Sequence, residues 1–135
     1  MALNILVVED SSVMRAIIIK TLRLSQLPLG DVHEANNGQE ALKVLDGNWI
    51  DLVLVDINMP VMDGEEMINR LRQNPATADL PVIVVSTEGS ETRKEALMQK
   101  GAGFVHKPFT PERLRDAILG SLGGLDEQKA GDGTL

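Results

Sequence analysis

Three short runs rich in Val, Ile and Leu recur along the chain: Leu3–Val8, Ile50–Val55 and Leu80–Ser86. Continuous apolar runs of this length suit parallel strands buried on both faces. Two further segments, Val32–Ala35 and Gly103–His106, are shorter and more polar, as edge strands can be. Helical patterns fill the gaps. Ser12–Leu24 has a broad apolar face. Asn37 and Glu40, and again Asp63 and Glu66, have capping-box spacing ahead of apolar residues. Thr110–Pro111 gives an N-cap and a first-turn proline before Leu114, Ala117, Ile118 and Leu122. Glu91–Lys100 offers only Ala96, Leu97 and Met98 to a core, so a fourth helix there would be weakly anchored.

The order is five β-α units, a three-layer α/β sandwich. Apolar central strands and polar edges predict a parallel five-stranded sheet in the order 2-1-3-4-5. Right-handed crossovers put the first and fifth helices on one face and the other three on the opposite face. Residues 1–124 form one domain. The small, polar, acidic stretch from Gly123 reads as a frayed end, with 125–135 a flexible acidic tail. Trp49 is expected to pack at the start of the third strand, where it would serve as the single tryptophan fluorophore.

In this topology ligands bind beyond the carboxyl ends of the strands, where the chain reverses direction. The first strand runs into Glu9–Asp10, the third into Asp56, the fourth into Ser86–Thr87 and the fifth into His106–Lys107. Three carboxylates in one crevice repel and raise one another's pKa. A hard cation such as Mg²⁺ relieves that repulsion through oxygen ligands. A lysine and a hydroxyl facing the same place suit a phosphoryl group, and an Asp carboxylate is itself a possible acceptor. Each residue taken alone has a plainer reading: Asp10 as a helix N-cap, Lys107 as a solvated lysine.

Composition removes other classes. A net charge of −7 opposes binding to nucleic acid, and three aromatic residues leave no base-stacking surface. No apolar stretch reaches the roughly 20 residues of a membrane span. The absence of cysteine excludes disulfides and fits a cytoplasmic location.

The stretches LVVEDSSVMR, LVLVDINMPVMDG, VIVVSTEG and KPFT, in this order and at strand ends, resemble response-regulator receiver domains of the single-domain chemotaxis type. The resemblance covers about residues 3–122. Its fold is flavodoxin-like, with the strand order given above. It implies a phosphoprotein of a two-component system. Asp56 would accept a phosphoryl group from a histidine kinase. Asp10, Asp56 and the backbone carbonyl of Asn58 would hold Mg²⁺, with Glu9 acting through water. Ser86 and Lys107 would bind the phosphoryl oxygens, and Phe104 would be the switching aromatic. The output face would be the fourth helix, fifth strand and fifth helix. Too few residues follow for an output domain, so a monomer signalling to a motor-switch or relay phosphotransfer protein is implied, with no enzyme activity on an external substrate. Departures from the pattern are Glu9 for the commoner Asp, Thr87 where a small residue is usual, and Phe104 for Tyr. Asn58 and Glu88 accompany a short-lived phosphoryl state. Competing readings are a flavin carrier, a phosphatase with an Asp nucleophile and a docking receiver that is never phosphorylated.

Overall fold

The structure is a computed structural model that describes residues 2–56, 64–86, 95, 98–106 and 109–134, with no side-chain description for Gly64, Ser86 and 123–134. The elements are β1 Leu3–Val8, α1 Ser12–Leu24, β2 Leu29–Ala35, α2 Gly38–Gly47, β3 Leu52–Val55, α3 Gly64–Gln73, β4 Val82–Ser86, β5 Ala102–His106 and a C-terminal helix, Pro111–Thr134. The strands are parallel and lie in the order β2-β1-β3-β4-β5.

Strand periodicity explains why the central runs are apolar throughout. Leu6, Val8, Val53, Val55, Val82 and Val84 point to one face, where Ala41 of α2 and Met67, Ile68 and Leu71 of α3 cover them. Ile5, Val7, Leu52, Leu54, Ile83 and Val85 point to the other, beneath Ile18 and Leu22 of α1 and Leu114 and Ile118 of the C-terminal helix. Each such side chain contributes about 1.5–3 kcal/mol by leaving water. The expected placement of helices is therefore found for all four described ones. The fourth helical segment, Glu91–Lys100, falls largely outside the described residues.

The caps of α2 and of the C-terminal helix fall where the sequence places them, and α1 is capped one residue after Asp10. Ser11 Oγ accepts the Met14 amide at 3.2 Å and opens α1. Asn37 Oδ1 accepts the Glu40 amide at 2.9 Å, and Thr110 Oγ1 accepts that of Arg113 at 3.1 Å. Asp63 lies outside the described residues.

Four expectations are corrected. β3 and β4 each begin two residues late: Asp51 turns its carboxylate onto the Asn4 amide, and Pro81 has no N–H for a ladder. β2 begins earlier, at Leu29, because Gly30 leaves room for Asn4 Oδ1, which accepts the Asp31 amide at 2.9 Å. Trp49 is not packed but 77% exposed, its Nε1–H donating to Asp51 Oδ1 at 2.9 Å. The C-terminal helix continues to Thr134 where a tail without helix is expected.

Candidate phosphoryl and cation site

β1 and β3 are adjacent and end level with one another, Val8 opposite Val55. The next residue on each is acidic and is fixed by the sheet. The Glu9 amide donates to Ala35 O at 3.0 Å, and the Asp56 amide donates to Val8 O at 3.0 Å. The side chains therefore leave the sheet at a defined place. Glu9 is 1% exposed and Asp56 9%, whereas Asp10 reaches solvent. Carboxylate oxygens of Glu9, Asp10 and Asp56 lie within 4.8 Å of one another.

This clustering has an electrostatic consequence. The Asp10 carboxyl is raised above the ordinary Asp range, first by its hydrogen bond with the Glu9 side chain, then by burial and by the Glu9 charge. Backbone amides of Asp10 and Ser11 pull it the other way. The plainer reading of Asp10 as helix cap fails, since Ser11 holds that position. The donor set consists of hard oxygens, which suits Mg²⁺.

β4 ends on Ser86, whose backbone pairs with His106 of β5. Val84 pairs with Val55, so Ser86 stands two residues further along, beside the Asp56 end of β3. Phe104 is part-buried against the α2/α3-side core, its ring 4.8 Å from that of His106 in an edge-to-face contact. His106 itself is exposed. Asn58, Thr87, Glu88 and Lys107 lie outside the described residues.

One residue near the site is missed by sequence reasoning. Arg15, in the second turn of α1, donates from Nη1 to the Glu9 carbonyl at 2.6 Å and to Asn36 Oδ1 at 2.8 Å, and from Nε to Glu34 Oε1 at 2.7 Å. A cation close to a helix N-terminus opposes the helix dipole, which is a signal that something else holds it there.

Residues 5–119 match the response regulator receiver domain. The chain belongs to the response regulator receiver family. This receiver is 38% identical over 126 residues to the chemotaxis protein CheY1 of Helicobacter pylori, covering 92% of this chain and 100% of that protein. It is 37% identical over 123 residues to the CheY homologue of Campylobacter jejuni, covering 90% and 93% respectively. Among solved structures, the chemotaxis protein CheY4 of Vibrio cholerae superposes with a TM-score of 0.77 at 31% identity, over 87% of this receiver and 97% of that chain. Among the described residues no helix is long and apolar enough to cross a membrane.

Proposed function

We propose that this receiver is a response regulator of the single-domain chemotaxis type, phosphorylated on Asp56 with Mg²⁺ as cofactor. The convergence of the Glu9, Asp10 and Asp56 carboxylates at the carboxyl end of the sheet carries the reading. The match to CheY1 supports the chemotaxis part of it.

One Asp56 carboxylate oxygen attacks the phosphorus of a kinase phosphohistidine. The new O–P bond forms as the P–N bond breaks, and the imidazole leaves with the electron pair. Bound Mg²⁺ would neutralise charge on the carboxylates and on the transferring oxygens. Asp10, Asp56 and the Asn58 carbonyl would hold it directly, and Glu9 through water. Ser86 and Lys107 would donate to the phosphoryl oxygens. Thr87, Asn58 and Glu88 would set access for the donor and for the water that later hydrolyses the acyl phosphate. Phe104 would turn inward as Ser86 engages the phosphoryl group, altering the face formed by residues 91–100, β5 and the C-terminal helix. A protein of the motor switch or of a phosphorelay would read that face. The protein would act in the cytoplasm as a monomer, its only catalysis being its own phosphorylation and dephosphorylation.

Intact-mass measurement with Mg²⁺ and a small acyl phosphate tests the reading. One phosphoryl group is expected on the wild type, and none on Asp56→Asn or in the presence of a chelator. An adduct that persists in Asp56→Asn, or a wild type that binds Mg²⁺ yet takes no phosphoryl group from several donors, contradicts it.

A further inference from the structure

The Glu9–Asp10 peptide joins the residues that carry two of the three clustered carboxylates, and it lies just beyond the last paired residue of β1. The β1 ladders end at Val8, opposite Ala35 and Val55. The Glu9 amide reaches back to Ala35 O, but the Glu9 carbonyl projects past the ladder. Arg15 Nη1 donates to it at 2.6 Å. The same guanidinium grips Glu34 within β2 and Asn36 just beyond it, and Asn36 Nδ2 continues to Glu40 Oε1 of α2 at 3.2 Å. The Arg15 side chain is 14% exposed, well covered for a charged group near the surface.

We propose that Arg15 is a positioning residue for the cation site, a deepening of the function above that rests on it. The planar fork donates to acceptors on two strand ends at once, so the peptide plane between Glu9 and Asp10 cannot rotate independently of β2. The two carboxylates depart from the Cα atoms that this peptide joins, so anchoring its carbonyl restricts where they stand relative to Asp56. Arg15 touches neither carboxylate of the Glu9–Asp10 pair, only the backbone that bears them. Glu34 and Asn36 orient the guanidinium in turn.

Arg15 has two opposed effects on a bound cation, and the sign of the mutant effect separates them. Its positive charge repels Mg²⁺, so charge alone predicts tighter binding when it is removed. Its geometry preorganises the ligands, so loss of position predicts weaker binding. Groups that orient metal ligands typically change affinity by about 10–100-fold.

Isothermal titration with Mg²⁺ on wild type, Arg15→Ala, Arg15→Lys and Glu34→Gln tests this, alongside unfolding midpoints in EDTA to show that each variant is folded. We expect Arg15→Ala to bind about tenfold more weakly, at the lower end of that range. Arg15→Lys should fall between it and the wild type, because a single ammonium cannot reproduce the fork. Glu34→Gln should stay within about twofold, its carboxylate being half exposed. Unchanged or tighter Mg²⁺ binding in folded Arg15→Ala overturns the proposal and leaves Arg15 a stabilising clasp. A wild type that binds no Mg²⁺ overturns it as well. If the affinity order holds while Asp56 takes no phosphoryl group, the positioning role stands and only the phosphoryl reading falls.

Discussion

Asp51 and Asp56 stand immediately before and immediately after β3, four residues of buried strand apart, and the described groups nearest to them differ. Asp51 Oδ2 accepts the Asn4 amide at 2.8 Å, and its Oδ1 accepts the Trp49 indole N–H at 2.9 Å. Asp56 shares its space with Glu9 and Asp10. A carboxylate met by N–H donors ties down a strand end. One placed beside two other carboxylates offers its oxygens to a cation. The same asymmetry spans the sheet. At the amino ends of the strands Arg72 of α3 donates to Lys100 O at 2.8 Å, Ala78 O at 3.1 Å and Leu80 O at 2.8 Å, stitching the approaches to β4 and β5. Burial pulls the Arg72 pKa below the usual guanidinium value, with the Asp79 charge opposing, and a guanidinium remains charged regardless.

The largest expected effect follows from that stitch. Arg72→Ala leaves the carbonyls of Thr77, Ala78, Leu80 and Lys100 without this donor and should cost about 3 kcal/mol. For a chain of this length that lowers the thermal midpoint by about 10 °C, with no change in Mg²⁺ affinity. Arg72→Lys should recover only part of the loss.

Asp51→Ala comes next, at about 2 kcal/mol from denaturant titration, since it frees both the Asn4 amide and the Trp49 indole. Trp49 emission should change in this variant. Because Trp49 lies at the far end of β3 from Asp56, its emission should be nearly indifferent to Mg²⁺, so it is a reporter of the amino end only.

Asp10→Asn is the smallest and has the opposite sign. In EDTA it should stabilise by on the order of a few tenths of a kcal/mol, the side chain being mostly solvated. The pH dependence follows from the raised Asp10 carboxyl. A raised acid binds its proton more tightly in the folded state, so its penalty is fully present above the raised pKa. It disappears as pH falls toward the ordinary Asp value. Without Mg²⁺, the gap between wild type and Asp10→Asn should therefore close on acidification through that window.

How legible these features were depends on the range of the interactions behind them. α1 is found at Ser12–Leu24, as its apolar face predicts, because that signal is local, although its cap is Ser11 and not Asp10. The three acids were legible because strand ends converge in this topology. Trp49 was misread because size and apolarity suggest burial, whereas a hydrogen bond to Asp51 holds the ring outward. Arg15 went unnoticed because its side-chain partners, Glu34 and Asn36, stand 19 and 21 residues away in sequence, beyond any helical spacing.

The most direct measurement is thermal unfolding of wild type, Asp51→Ala and Asp10→Asn, each in EDTA and in saturating Mg²⁺. A cation that binds only the folded state raises the midpoint by mass action. The account predicts the same Mg²⁺ increment in wild type and in the less stable Asp51→Ala, and little or none in Asp10→Asn. A full increment in Asp10→Asn, or its loss in Asp51→Ala, would contradict the division between a structural and a cation-binding end of β3.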